Sequence, residues 1–271
     1  MDEQSGDSSR QRPFVFIASL RRTGSTVLSE ALTELPYSFI FREPRLDMNW
    51  FNLKASDDAQ LREFGIDLVA FARRHRLAAF LSRRLGIGEA YMINAFKKDL
   101  LPKLRTSVQQ VGIKEIRLRN WRRYHLHFPH MRILLTGRDP RDIYLSLYFR
   151  TTSGQGSWSG PYTPETVADH LNDEFSRQLE MYDTGACMKV RYEELASDPD
   201  AVLRQAISFT DSPIPSVGPI GGFTGTAPGR SVEHELHGKH ITSKRAFRWK
   251  TEQDRSLVME AQRVFDLMPD Y

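Results

Sequence analysis

Only one cysteine, Cys187, occurs in the 271 residues, so no disulfide can close within the chain and a reducing compartment is expected. No apolar run is long enough to cross a bilayer. Residues 1–12 are polar and charged and lack the apolar stretch of a secretory leader, so they read as a loose, disordered tail. A soluble, cytoplasmic protein with no integral membrane contact is the expectation. Repeats, low-complexity tracts and linker-like breaks are also missing, which favours one domain over residues 13–271. Neither sign of charge dominates: 38 basic and 34 acidic side chains leave a net charge of +4. The arginines, Arg73, Arg74, Arg83, Arg84, Arg117, Arg119, Arg122 and Arg123 among them, are spread without a nucleic-acid-binding module, so no nucleic-acid partner is expected. His234, His237 and His240 stand three apart but lack the carboxylate or cysteine company of a zinc centre, so no metal is expected either.

What is present begins at Phe14. The run Phe14–Ile17 is apolar without alternation, as in a parallel strand buried on both faces. Arg21, Arg22, Thr23, Gly24, Ser25 and Thr26 follow, and Val27, Leu28, Ala31, Leu32 and Leu35 then recur at helical spacing up to Pro36. A basic, glycine-containing loop between a strand and a helix can hold an oxyanion. The first helical amides have no internal partners, Gly24 permits close approach, Ser25 and Thr26 add hydroxyls, and Arg22 adds charge. The nucleotide-triphosphatase pattern G-x-x-x-x-G-K-[ST] is not met, because Ser25 stands where its lysine would be.

A second unit repeats the logic. Met131–Thr136 reads as a buried strand, and a helix follows with Asp139 as N-cap and Pro140 at its first position. Arg138 precedes the cap and Ser146 lies about two turns in, so both side chains can meet an anion lying along that helix. Thr163 to Glu165 and Asp198 to Pro199 open two further helices, and a C-terminal helix spans about residues 252–267. Residues 61–104 read as a helical cap insertion, and 211–245, rich in glycine and proline, as a mobile loop.

The loop LRRTGST, the element RDPRDIYLSLY and the segment VRYEELASDP together resemble the sulfotransferases that use 3′-phosphoadenosine 5′-phosphosulfate (PAPS). The bacterial and carbohydrate-modifying members are the most similar. The resemblance implies an α/β fold of P-loop type: a single domain with a central parallel β-sheet flanked by helices. It implies transfer of a sulfuryl group to the hydroxyl of a carbohydrate or small-molecule acceptor, with 3′,5′-adenosine bisphosphate (PAP) as the donor's product and no metal. Residues 22–26, which are Arg22, Thr23, Gly24, Ser25 and Thr26, correspond to the 5′-phosphosulfate loop. Arg138 and Ser146 correspond to the grip on the 3′-phosphate, Tyr192 to an adenine contact, and Arg248, in AFRWK, to a further 3′-phosphate contact. Many members stack a tryptophan on adenine directly after the loop; here Val27 stands there.

A sulfuryl acceptor must lose a proton, which calls for a base. The segment Phe41–Pro44, FREP, resembles the family segment whose glutamate serves, making Glu43 the first candidate. Its bland alternative is an ion pair with Arg42 or Arg45. Glu115 is the second candidate, with Lys114 beside it to meet charge on the sulfuryl oxygens. His125, His127 and His130 read as surface residues in a basic loop. Two other readings stay open: a magnesium- and ATP-dependent P-loop kinase of a small metabolite, and a non-catalytic module that binds anionic glycans. The oligomeric state is not legible.

Overall fold

A computed structural model describes residues 12–86, 90–154, 162–215, 246–269 and 271. Unbroken apolar runs become strands covered on both faces. β1 (Val15–Ser19), β2 (Ser38–Arg42), β3 (Gln110–Glu115), β4 (Arg132–Gly137) and β5 (Cys187–Arg191) form one parallel sheet in the order β2-β3-β1-β4-β5. This is the α/β architecture that the sequence leads one to expect.

The helices are α1 (Ser25–Ala31), α2 (Ala55–Arg62), α3 (Leu68–Leu85), α4 (Tyr91–Ala95), α5 (Leu101–Leu104), α6 (Trp121–His127), α7 (Pro140–Thr152), α8 (Pro164–Tyr182), α9 (Tyr192–Ser197), α10 (Pro199–Phe209) and α11 (Arg255–Asp266). Alternation along each strand sends side chains to opposite faces. Phe14, Phe16 and Ala18, with Phe39, Phe41, Val111, Ile113, Ile133 and Leu135, pack under the helices of residues 55–104 and under α6. Val15, Ile17, Ile40, Leu134 and Val190 pack against α1, α9 and α10. A third cluster joins α7, α8 and α11 through Ile143, Leu171, Leu257 and Val264.

Several local expectations need correcting. The first helix ends at Ala31 rather than at Pro36, because the Thr33 hydroxyl accepts from the Ile40 amide and Glu34 pairs with Ser38, turning the chain toward β2 early. His125 and His127 lie on α6, not in a loop; Trp121 and Tyr124 give that short helix a buried side. α3, α4 and α5 fall within residues 61–104, where helices were expected, and Phe71, Ile93, Phe96 and Leu104 belong to the main core, so these helices are integral to the domain. The tail 1–12, apart from Arg12, and nearly all of the 211–245 loop lie outside the described residues, as do His234, His237 and His240.

Candidate active site

β1 and β4 are neighbours, so the loops leaving their carboxyl ends stand side by side, where open α/β sheets bind ligands. The two loops touch. Arg22 Nε donates to Ser146 Oγ at 2.9 Å, and Arg138 Nη1 donates to the Arg22 carbonyl at 3.2 Å. Residues 124 positions apart in sequence thus share one small region. Arg22 takes a left-handed backbone (φ 66°) and Gly24 another (φ 77°) at the N-cap of α1. At Gly24 a Cβ would fall 2.6 Å from Cδ2 of Tyr192, so only glycine fits between the loop and that ring.

The hydroxyls divide by role. Thr23 is buried, donates to the Leu20 carbonyl at 2.7 Å and lies 2.6 Å from Thr136 Oγ1, so its side chain secures the loop to β4. Ser25 and Thr26 carry hydroxyls without a hydrogen-bond partner among the described residues, which leaves them available to a ligand at the loop.

Arg138 is 7% exposed. Its guanidinium donates to Asp142 Oδ2 at 3.3 Å and stacks 4.3 Å above the Tyr192 ring. Its backbone N–H donates to the Tyr271 hydroxyl at 2.7 Å, and that hydroxyl donates to its carbonyl at 2.8 Å. Burial pushes the Asp142 carboxyl above its ordinary range against the opposing pull of Arg138. Asp142 Oδ1 also accepts from the Trp249 amide at 3.1 Å, drawing the AFRWK segment to α7. Arg248 lies on that segment with its guanidinium 4.0 Å from the Phe149 ring. Asp139 caps α7 as expected and chelates Arg141 with both oxygens. Tyr271 carries no sequence signal: it lies 133 positions from Arg138, and only the folded chain brings the two together.

The second half of the site follows β2 and β3. Glu43 pairs with neither Arg42 nor Arg45. Arg42 is engaged by Glu30 at 2.8 Å and Asp57 at 3.0 Å, while Lys114 Nζ donates to Glu43 Oε1 at 2.5 Å. The parallel register explains the choice: Arg42 lies opposite Lys114, and the next amide, that of Glu43, donates to the Lys114 carbonyl at 2.7 Å. Lys114 is 2% exposed and Glu43 24%, so the carboxylate reaches out from a buried ammonium. Glu43 Oε2 makes no hydrogen bond among the described residues. Burial pushes Glu43 up, but the charge and hydrogen bond of Lys114 prevail and hold it below the usual glutamate range, so it is ionised at neutral pH.

Glu115 behaves oppositely. It is 2% exposed, and burial, with the Asp47 carboxylate near it, pushes it up to about 8. The Arg45 amide donates to its Oε1 at 2.8 Å, and the Tyr124 hydroxyl lies 3.3 Å from both Glu115 and Asp47.

Among the described residues no group of three metal-ligating side chains occurs, and no helix is long and apolar enough to cross a membrane. A model of the Sulfotransferase family matches residues 13–216, well over half of the chain. No curated protein matches. Among solved structures, the sulfotransferase domain of the Synechococcus PCC 7002 olefin synthase is similar over 98% of each chain, with a TM-score of 0.61 and 16% identity. The sulfotransferase domain from the curacin biosynthetic pathway is similar over 95% of this chain and 98% of its own, with a TM-score of 0.60 and 18% identity. At such identities the likeness is one of fold.

Proposed function

We propose that this chain, which belongs to the sulfotransferase family, moves a sulfuryl group from PAPS to the hydroxyl of a carbohydrate or small-molecule acceptor. The observation that carries this reading is the Arg22–Ser146 hydrogen bond, which brings the loop after β1 into contact with α7. A donor with phosphate at both ends of its ribose needs two such grips at fixed separation.

In this reading the residues divide the work. Arg22, the loop amides and the hydroxyls of Ser25 and Thr26 hold the 5′ end; Arg138, Ser146 and Arg248 hold the 3′-phosphate, with Arg138 pre-set by Asp142 and Tyr271. Gly24, where a Cβ would strike the Tyr192 ring, suits a loop that must lie tightly packed at the donor's 5′ end. The donor supplies an activated sulfur. Glu43 Oε2 takes the acceptor's hydroxyl proton while the acceptor oxygen bonds to sulfur and the bond from sulfur to the bridging phosphate oxygen breaks. Arg22 meets the charge left on that bridging oxygen, and Lys114 meets charge on the sulfuryl oxygens. Glu115, sealed from solvent, secures the turn that carries Glu43 through the Arg45 amide. Tyr192 borders the adenine end, although Arg138 already occupies one side of its ring.

Sulfur-labelled PAPS separates this reading from a kinase. Label is expected to reach the acceptor at an undiminished rate in excess chelator; phosphate transfer from ATP that stops on magnesium removal would contradict it.

A further inference from the structure

α3 is charged in a way that packing does not explain. Over 18 residues it carries Arg73, Arg74, Arg76, Arg83 and Arg84 and no acidic side chain, although the chain as a whole is nearly balanced. The carboxylates bonded to it sit at its start or on its inner side. Asp58 and Asp67 accept from the amides of Leu68 and Ala70 in its first turn, and Asp99 meets the buried His75 at 3.1 Å. None of these arginines has a carboxylate within ion-pair distance among the described residues.

The apolar side chains of α3 divide between two faces. Leu68, Phe71 and Ala79 are buried against the core, with His75 among them. Leu77, Phe80, Leu81 and Leu85 recur at helical spacing as a second, outward stripe: Leu77 and Leu85 are 69% and 61% exposed, Phe80 and Leu81 43% each. Arg73 and Arg74 stand one turn before Leu77, and Arg84 one turn after Phe80 and Leu81, so they share that outward side. Exposed leucines scattered singly need no explanation, but a row of them among arginines without carboxylate partners does. The patch also extends beyond the helix. Arg83 lies 5.6 Å from the centroid of the exposed Trp50 ring, and two residues further on the Asn52 side chain donates to the Glu43 carbonyl at 2.9 Å.

We propose that α3 is a membrane-surface contact: it lies along an anionic lipid bilayer, with Leu77, Phe80, Leu81 and Leu85 at the boundary of headgroups and acyl chains and its arginines on the lipid phosphates. The chemistry favours this occupant. Leucines that project this far need either a matching groove or a soft medium, and a bilayer supplies the second while its phosphates meet the charge. A second copy of this chain fits poorly, because two such faces set arginine against arginine. No helix is long and apolar enough to cross a membrane, so the contact is peripheral. Such docking is independent of the reaction catalysed.

The test floats the full chain with vesicles of phosphatidylcholine alone and of phosphatidylcholine and phosphatidylglycerol in equal parts. The chain is expected to rise with the anionic vesicles, to stay behind with the neutral ones, and to be released as salt is added. Arg73→Gln combined with Arg84→Gln is expected to weaken partitioning about thirtyfold, the joint effect of two basic side chains at an anionic surface. Leu77→Ser combined with Leu81→Ser is expected to weaken it at least about tenfold, through lost apolar burial. These side chains face solvent, so both double variants should melt within a few degrees of wild type. Failure of wild type to float with anionic vesicles overturns the proposal, and self-association that Leu77→Ser with Leu81→Ser disperses would assign the face to a second copy instead. Equal flotation with both vesicle types, or a leucine pair that can be replaced without loss of binding, overturns it as well.

Discussion

Replacing Glu43 by glutamine is expected to lower kcat by about 10²- to 10⁴-fold, the span of a positioned general base, with PAP affinity unchanged. The amide keeps the shape and can still accept from Lys114, but it cannot take a proton. The pH profile sharpens the test. Lys114 holds the Glu43 carboxyl below the ordinary range, so it is ionised above that depressed value and protonated below it. Wild-type activity is therefore expected to persist as pH falls through the usual glutamate range and to drop only below it, and this acid limb should vanish in Glu43→Gln. Loss of the Lys114 partner also carries a structural cost, since a buried ammonium without its carboxylate is unfavourable. Rates are best normalised to PAP-binding sites. A variant that retains near-wild-type kcat, or that keeps the acid limb, would exclude Glu43 as the base.

Arg22→Met is expected to lower kcat by about 10²- to 10³-fold, as for other preorganised donors that meet charge developing in a transition state. Methionine fills much of the same volume and faces the same left-handed backbone, so the loop should persist while the charge and the bond to Ser146 are lost. Arg22→Lys should recover part of the rate, because a point charge can reach the bridging oxygen even without the guanidinium fork. If Arg22→Met instead weakens PAP binding with kcat untouched, Arg22 is a ground-state anchor and not a group that acts in the transfer.

The parallel sheet was readable from short apolar runs because strands covered on both faces tolerate little polar interruption. Asp139–Pro140, Thr163–Pro164 and Asp198–Pro199 each open a helix where their capping chemistry says they should. What escaped the sequence is long-range. The choice of Lys114 over Arg42 and Arg45 as partner for Glu43 depends on the β2–β3 register, which joins residues 71 positions apart. The Tyr271 clamp on Arg138 depends on the path of the residues after α11, which sets a ring against a strand end 133 positions earlier. Thr23 turns its hydroxyl inward because Thr136, on a strand 113 residues later, lies beneath it. A local pattern identifies which residues can bear charge or donate a proton; it does not say which of them the sheet will set against one another.

Calorimetric titration with PAP, set against adenosine 5′-phosphate, tests the central claim most directly: that the Arg22 loop and the Arg138–Ser146 helix hold opposite ends of one nucleotide. The account predicts that PAP binds at least about 100-fold more tightly, since the 3′-phosphate adds charge-assisted hydrogen bonds worth about 1.5–3 kcal/mol each. Equal affinities, or no saturable binding of PAP, would contradict it.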